Sequence, residues 1–473
     1  MKRSFGASVK LMALGGVSAL ALTVLAPVAS AENLVDALSA AYQSNPDLMA
    51  QRAQQRATDE QVPQALAGWR PTVTAQGTYA TTRSRANLKT PAGASLDANS
   101  RPLTGSVTLS QNLFAGGRTV NATAQAEHTV EAGQNSLLSA EQATLLNAVA
   151  AYMNVIRDQG VVDLNKNNVE VLKRQLEATQ DRFRVGELTR TDVAQSEARL
   201  SGSKTSLRQA EAQLTASRAS YEKIVGHAPA DLVKPAPAAN VPQSEDQARA
   251  YAERNNPDLK AARASEAASR SAISVAKGAL LPSFDVQAQY QYARDPSSSA
   301  LSSTAVRSSD ESSLMGVLTI PLYQSGAEYS KVRAAKEQAS AALMQIASVQ
   351  RLVDEAVRDA WEQLRAARSN IVSSQEQVKA NEIALEGVKQ EEQVGSQTTL
   401  DVLNAEQELL NARVTLVSAE RDEVVAAYNL LAATGQLTAR QLQLPVKYYD
   451  PQVNADDVRD KWIGFGTASD EGQ

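Results

Sequence analysis

The sequence has no cysteine and very few histidine or large aromatic residues. Its 473 residues include no Cys, two His, five Phe and three Trp. Without Cys, the chain can form no disulfide, thiolate nucleophile or Cys-based metal site. His128 and His227 lie about a hundred positions apart, which makes them a poor pair of metal ligands. We therefore expect no metal and no cofactor.

The composition favours long helices over an ordinary globular core. Hydrophobic residues make up 43% of the chain but aromatic residues only 4%, so the apolar residues are mainly Ala, Leu and Val. Together with abundant Gln, Glu, Arg and Lys, this profile is typical of long helices. The net charge of -5 argues against a nucleic-acid partner. No G-x-S-x-G element and no glycine-rich phosphate loop is present, so we expect no enzyme.

The first residues have the pattern of an export signal. Lys2, Arg3 and Lys10 flank an apolar run over residues 11–28, and Ala29-Ser30-Ala31 supplies the small residues of a cleavage site. This predicts a signal peptide over residues 1–31. An uncleaved anchor is the alternative, but the run is short and no stop-transfer flank follows. No later segment approaches the roughly 18 to 20 apolar residues of a membrane helix.

The rest of the chain repeats itself. Landmarks of Asn, Pro, Gly and Asp recur in the same order about 210 positions later, too long a period for a solenoid repeat. The matches include Asn45-Pro46-Asp47-Leu48 with Asn256-Pro257-Asp258-Leu259, Val185-Gly186 with Val394-Gly395, Asp192-Val193 with Asp401-Val402, and Gly226 with Gly435. We therefore predict a duplicated half-molecule.

The repetition divides the mature chain into four segments. The first structural repeat covers residues 32–227, and the second covers residues 243–435. Residues 228–242 between them are rich in Pro and Ala, which is typical of a stiff linker. Residues 436–473 form a C-terminal tail.

Each repeat contains long heptad patterns. In the first repeat, apolar residues recur every seven positions: Ala148, Val155, Val162, Val169, Leu176 and Phe183. In the second repeat, the corresponding residues are Val357, Leu364, Ile371, Val378 and Leu385. Such spacing predicts coiled-coil packing. A continuous helix from about Arg118 to Val185 would be roughly 100 Å long. Helices of that length need partners along their whole length.

Each repeat also contains two stretches that alternate like strands, at about 71–83 and 103–114 and at about 282–294 and 312–322. One face of each is apolar and the other polar. A length of about ten residues with this alternation is typical of a tilted transmembrane β-strand around a wet lumen. Residues 84–101 and 295–313 would then be exposed loops. A soluble hairpin packed on the helices remains the alternative.

Four strands cannot close a barrel, because the smallest outer-membrane barrels have about eight. The strands must therefore be pooled from several copies of the chain.

These motifs resemble those of the TolC-like outer-membrane channel family. The resemblance is carried by the duplicated Asn-Pro-Asp-Leu, by Leu322-Tyr323-Gln324-Ser325-Gly326, and by the paired Val-Gly and Asp-Val motifs. It implies a mainly α protein with a membrane β-barrel. Duplicated helix-strand-strand-helix halves would form a trimeric 12-stranded barrel that continues as a long α-helical coiled-coil tunnel. Residues 444–451 and 458–462 look like the tail of the type I secretion members.

The resemblance also implies a gate at the periplasmic end of the tunnel. Asp401 matches the position of an acidic ring at the pore constriction, where three carboxylates would favour cations. Many members carry a second Asp one turn later, but this chain has Asn404 there. We therefore expect weaker cation selectivity. An alternative is that Asp401 merely satisfies free N–H groups at a helix start.

A latch that holds the gate closed is the second implied site. On one side of the latch, three residues match the family: Gln175, Thr191 and Asp192. On the other side, three residues depart from it: Lys389, Glu392 and Gln397. An Asp192–Lys389 pair would substitute for the family's acid–arginine link. As an exposed pair it would contribute roughly 0 to 1 kcal/mol.

The implied function is a passive exit duct in the cell outer membrane, extending into the periplasm. Its expected partners are two further copies of the chain, outer-membrane lipid, a periplasmic adaptor, and an inner-membrane ABC or proton-driven transporter. The cargo of such a duct, in type I protein secretion or multidrug efflux, need not be encoded in its residues. The competing hypothesis is a soluble periplasmic coiled-coil adaptor or scaffold, which would not explain the duplicated strand pairs.

Overall fold

The computed structural model describes residues 32–87, 95–238, 240–294 and 307–467, and the predicted signal peptide lies outside them. The helices are α1 Leu34–Ser44, α2 Pro46–Asp59, α3 Gln61–Leu66, α4 Arg118–Arg184, α5 Arg190–Val225, α6 Glu245–Asn255, α7 Pro257–Gly278, α8 Ala327–Gln393, α9 Thr399–Ala433 and α10 Pro451–Arg459. The strands are β1 Thr72–Tyr79, β2 Thr82–Asn87, β3 Ser95–Ser100, β4 Leu103–Phe114, β5 Ser283–Arg294 and β6 Ser308–Thr319. None of the described helices is long and apolar enough to cross a membrane.

The predicted duplication is confirmed by the order of the elements. In each copy, two strands of the same sheet are followed by a helix of 67 residues, α4 or α8. A second long helix follows, with 36 residues in α5 and 35 in α9. At about 1.5 Å per residue, α4 and α8 are each about 100 Å long.

The Asn of the repeated Asn-Pro-Asp-Leu motif makes equivalent hydrogen bonds in both copies. Asn45 Oδ1 accepts hydrogen bonds from the backbone N–H groups of Asp47 and Leu48, at 3.0 and 3.2 Å, and so caps α2. Its Nδ2 donates to the carbonyl of Ile224 at 3.0 Å. Asn256 caps α7 in the same way and donates to the carbonyl of Ala433 at 3.1 Å. Each motif therefore ties the start of its copy to the end of that copy's last helix.

The heptad positions form the seams between the long helices, as predicted. Val155 and Val162 of α4 are buried, and so are Val357 and Leu364 of α8. At the far end of the stripe Phe183 is 43% exposed, so the seam opens at the helix end. The largest buried cluster includes these two α4 residues and extends around α1, α5, α9 and the tail; its largest members are Leu38, Leu145, Tyr152, Tyr221, Leu437 and Leu444.

The long strands form one antiparallel sheet of four, in the order β1-β4-β5-β6. The two copies join at its centre, where β4 pairs with β5. Val107 lies opposite Ala75 on one side and Tyr290 on the other, so the apolar residues of neighbouring strands share one face. The opposite face is mostly Thr, Ser, Gln and Asn. The sheet is therefore amphipathic across its whole width.

Some strand boundaries differ from the sequence-based ones. β1 ends at Tyr79 rather than near residue 83: the Ala80 N–H still bonds to the carbonyl of Pro102 in the register of the ladder, but Pro102 has no N–H to return the bond. β6 runs over Ser308–Thr319 rather than 312–322. Its polar start gives no alternation signal, and Pro321, just beyond its end, has no N–H for a ladder bond.

The expectation that residues 84–101 form a simple loop is wrong. Residues 82–87 and 95–100 pair as the two-stranded ribbon β2–β3, which extends beyond the main sheet. The sequences of its two strands are mostly polar, so the pattern of residues did not indicate it. The other predicted loop, 295–313, lies outside the described residues except for 307–313, most of which belong to β6.

The C-terminal tail is anchored by a buried polar contact. Asn454 of α10 donates to Asp59 Oδ2 at 2.7 Å, and Gln55 donates to Asp59 Oδ1 at 2.7 Å. Asp59 is completely buried, and burial raises the pKa of its carboxyl despite these two hydrogen bonds. The tail therefore packs against α2 rather than extending away from the helices.

Candidate functional site

The two helical hairpins, α4–α5 and α8–α9, end in turns of the same geometry. Gly186 and Gly395 follow the long helices with φ of 83° and 80°, a left-handed conformation that glycine adopts without strain. The next residues, Glu187 and Ser396, donate backbone hydrogen bonds back into the last helical turn at 2.9 Å in both cases. The repeated Val-Gly motif therefore sets a tight reversal at each hairpin end.

The repeated Asp begins the returning helix of each hairpin. Asp401 Oδ2 accepts from the Thr398 hydroxyl at 2.6 Å and from the Thr398 N–H at 3.0 Å. Asp192 makes the same two bonds with Thr189, at 2.7 and 2.8 Å. Each pair forms a capping box. The hydrogen bonds lower the pKa of both Asp carboxyls.

Helix capping is therefore a real role of Asp401, as the alternative hypothesis held. It does not distinguish Asp401 from Asp192, which makes the same contacts in the other hairpin. Asp401 is partly exposed, so the capping leaves its charge at the surface of the hairpin end. One turn later, the exposed Asn404 accepts a hydrogen bond through Oδ1 from Arg199 Nη2 at 2.6 Å. This contact links the two hairpins.

A second link between the hairpins joins Arg182 to Glu392. The Arg182 guanidinium, near the end of α4, forms an ion pair with the Glu392 carboxylate, near the end of α8. The side chains are 36% and 12% exposed. Arg182 also lies 3.3 Å from Glu187 in the adjoining turn. Glu392 is one of the predicted latch residues, but its partner Arg182 was not among them.

The predicted Asp192–Lys389 pair is wrong. Lys389 Nζ instead lies 2.6 Å from Glu406 Oε1, so it joins α8 to α9 within one hairpin. Asp192 is held by Thr189 at its own helix start. The positions of these ion pairs depend on how the helices face one another, which sequence spacing alone did not show.

The remaining predicted latch residues have different surroundings. Gln175, partly buried in α4, uses its backbone carbonyl to accept from the Thr179 hydroxyl at 2.8 Å. Thr179 is buried and lies 3.4 Å from Ser196 of α5, within the first hairpin. Thr191 and Gln397 are exposed at the hairpin ends. Among the described residues, the polar links between the hairpins in this region are Arg182–Glu392 and Arg199–Asn404, and Leu403 packs with Leu172 and Leu200 beside them.

The sheet provides the other functional surface. Its apolar face is open in the single chain: Val73 is 67% exposed, Leu314 76% and Leu318 60%. Tyr79, Tyr290 and Tyr292 lie toward the end of this face farthest from the helices, and they are 66%, 50% and 43% exposed. Large exposed apolar surfaces mark contact with a membrane or a partner, and aromatic residues near one end suit a membrane interface. No group of three or more acidic or His side chains among the described residues is arranged to hold a metal ion.

An amphipathic sheet continued by helices about 100 Å long is the architecture of a barrel joined to a tunnel. The chain belongs to the outer membrane efflux protein family, whose family model matches residues 37–227 and 250–436. It is thus an outer-membrane exit channel for efflux or secretion and not an enzyme.

Known relatives resemble almost the whole chain. The outer membrane efflux protein BepC of Brucella suis is 37% identical over 439 residues, covering 93% of both chains. The outer membrane protein TolC of Escherichia coli is 26% identical, covering 89% of this chain and 86% of its own. The crystal structure of the CmeC outer membrane channel of Campylobacter jejuni matches with a TM-score of 0.75 at 17% identity, covering 91% of this chain and 89% of that one.

Proposed function

We propose that three copies of this chain close into one channel, with a 12-stranded barrel in the outer membrane and a helical tunnel in the periplasm. The observation that carries the proposal is the open sheet. β1 and β6 are its edge strands, and each has a neighbour on one side only within the chain. Unpaired strand edges cannot face lipid, so each edge must pair with another copy.

The number of copies follows from geometry and resemblance. One sheet of four strands is too small to close, since the smallest outer-membrane barrels have about eight strands. In a ring of copies, β6 of one would pair with β1 of the next, which keeps every strand antiparallel to its neighbours. Three copies give the barrel that the resemblance implies.

The long helices support the same assembly. α8 exposes apolar side chains along its length: Leu343, Met344, Leu352, Val372 and Ile383 are 48 to 66% exposed. A helix that carries such residues on an open face needs a partner. In the ring, the neighbouring copy would supply that partner.

We infer that the hairpin ends form the gate. Three copies of Asp401 around the axis would repel anions and attract cations at the constriction. The Arg182–Glu392 and Arg199–Asn404 contacts join the two hairpins of each copy, so they would act as the latch in the closed state. Opening would separate the hairpins and break both contacts.

The proposed partners are a periplasmic adaptor and an inner-membrane transporter, which would open the gate and supply the cargo. The name of BepC, the 37% identical relative, supports efflux. The C-terminal tail, by its resemblance, supports type I secretion. The signal peptide, residues 1–31, would direct export across the inner membrane and then be removed.

Membrane fractionation and mass measurement test this function. We expect the protein in the outer-membrane fraction, extracted only by detergent, with a protein mass three times that of the mature chain by light scattering. Recovery as a soluble periplasmic monomer would overturn the proposal and favour the coiled-coil adaptor or scaffold.

A further inference from the structure

The polar face of the four-stranded sheet carries charge of one sign. On β1 and β4 this face has only Thr, Ser, Gln and Asn. On β5 and β6 it gains two carboxylates, Asp285 and Glu311. Among the described residues of these four strands, no Lys or Arg lies on that face. The charges that these strands carry on the face that would line a water-filled lumen are therefore all negative.

The two carboxylates lie near opposite ends of the sheet. Asp285 is close to the helices, where it pairs across strands with Asn112, and Asn112 Nδ2 donates to Asp285 Oδ1 at 2.8 Å. Glu311 lies opposite Gln291, near the far end of β5. At about 3.3 Å per residue, Asp285 and Gln291 are roughly 20 Å apart along the strand. The two charges are thus separate features of the wall.

We infer that Asp285 and Glu311 make the barrel wall a second determinant of ion selectivity, distinct from the helical gate. The inference rests on the proposed function, since threefold assembly repeats each carboxylate around the lumen. Fixed charges of one sign lower the electrostatic potential in an aqueous bore and so favour cations over anions. Nothing on the described wall compensates them.

The salt dependence follows from screening. The Debye length is about 30 Å at 0.01 M salt and about 3 Å at 1 M. Wall charges therefore act across a wide lumen only in dilute salt. A charge ring at a narrow constriction would keep more of its effect in concentrated salt, because ions pass close to it.

The chain offers a matched control for this wall. Asp310 directly precedes Glu311 in β6 but lies on the other face, opposite Tyr292. Removing its charge changes the same strand by the same chemistry without changing the lumen. A selectivity effect specific to the wall should therefore distinguish Asp310 from Glu311.

Reversal potentials in planar bilayers test the inference. We expect Asp285→Asn combined with Glu311→Gln to lower the cation-to-anion permeability ratio at least about twofold between roughly 0.01 and 0.1 M KCl, with no change near 1 M. Asp310→Asn should match the wild type at both concentrations. Added to Asp401→Ala, the double substitution should lower the ratio further.

Glu311→Gln alone keeps the Asn112–Asp285 hydrogen bond intact. It therefore shows the effect of a lost wall charge even if the double substitution impairs folding. It should give about half the effect of the double substitution, because the two charges are far apart. A wild-type ratio in dilute salt for conducting double-variant and Glu311→Gln channels would overturn the inference. A wild-type protein that forms no conducting channel would instead overturn the proposed function itself.

Discussion

Arg182 of the first hairpin and Glu392 of the second form an ion pair that joins the ends of α4 and α8. The two residues belong to different copies of the repeat, so the contact spans the two halves of the molecule. It occupies the region where the resemblance implies a latch, but it is built from a different pair. Its place next to the hairpin turns makes it the contact most directly strained if the hairpins move apart.

Breaking this pair should ease opening of the gate. We expect Arg182→Ala and Glu392→Ala each to increase channel conductance or open probability, because each removes the same link. A partly exposed ion pair contributes about 0 to 1 kcal/mol. The ratio of open to closed channels should therefore rise by up to about fivefold for each copy whose Arg182–Glu392 pair must break on opening. Single-channel recording in planar bilayers measures it.

The charge-reversed double variant, Arg182→Glu with Glu392→Arg, should recover most of the closed behaviour. Lys389→Ala is the matched control, since Lys389 pairs with Glu406 inside one hairpin. If Lys389→Ala opened the channel as much as Arg182→Ala, the Arg182–Glu392 pair would not be the latch.

The Thr398 cap should set the pH at which Asp401 loses its charge. Hydrogen bonds from Thr398 lower the pKa of Asp401, so its carboxylate stays charged to a lower pH than an ordinary Asp. Thr398→Val removes the hydroxyl and should raise that pKa. The midpoint at which cation selectivity falls with acidification should therefore move to higher pH, as measured by reversal potential.

Thr189→Val makes the equivalent change at Asp192 in the other hairpin. Because Asp192 has no assigned place in the constriction, this variant should keep the wild-type midpoint. Equal shifts in both variants would show that the caps act on hairpin structure rather than on a charge ring at Asp401.

Gly116 should be the least replaceable glycine where the sheet meets the helices. Its φ is 63°, and an added Cβ would lie 2.5 Å from the Gly278 carbonyl oxygen. Gly326 in the second copy has a similar φ of 78° but nothing within 4 Å of an added Cβ. Gly326→Ala should cost about 1 kcal/mol for the left-handed backbone alone.

Gly116→Ala should cost clearly more, because the backbone clash adds to the same conformational strain. The temperature at which the detergent-solubilised assembly dissociates measures the difference. Equal losses in Gly116→Ala and Gly326→Ala would mean that the close approach to Gly278 does not constrain the junction.

The tail should loosen when Asn454 is truncated. Asn454→Ala leaves the buried Asp59 carboxylate with one donor fewer, at a cost of about 1 to 3 kcal/mol for docking of α10. Because the pKa of Asp59 is raised in the folded chain, docking should be strongest at acidic pH and weaken as pH rises through that pKa. Hydrogen exchange of Pro451–Arg459 measures this.

Gln452→Ala is the control, since Gln452 makes its side-chain contacts at exposed positions of the same helix. It should leave exchange near the wild-type rate. Unchanged protection of α10 in Asn454→Ala would show that the Asp59 contact does not hold the tail.

Sequence patterns predicted the parts of this molecule that depend on local order. The heptads indicated α4 and α8 because burial along a helix repeats with the helix period. The repeated Asn-Pro-Asp-Leu marked equivalent helix starts, because Asn capping followed by Pro is encoded within a few residues. The sheet was predicted from alternation alone.

The parts that sequence did not predict depend on packing between distant segments. Three contacts were missed: Arg182 with Glu392, Lys389 with Glu406, and Asn454 with Asp59. They are set by the rotation and register of packed helices, which charge spacing does not determine. The β2–β3 ribbon was missed because its strand sequences are mostly polar and do not alternate clearly between apolar and polar residues.

In the proposed trimer, β1 of one copy pairs with β6 of the next. The chain has no native Cys, so engineered cysteines give an unambiguous readout. Thr74→Cys in β1 is combined in turn with one of three substitutions in β6: Ser309→Cys, Ser313→Cys or Thr319→Cys. All four residues lie on the polar face of the sheet. Each double variant is then oxidised in the membrane. We expect disulfide-linked dimers and trimers for at least one combination and no linked trimer for any single variant. Exclusively monomeric chains in all combinations, together with a monomer mass in detergent, would contradict it.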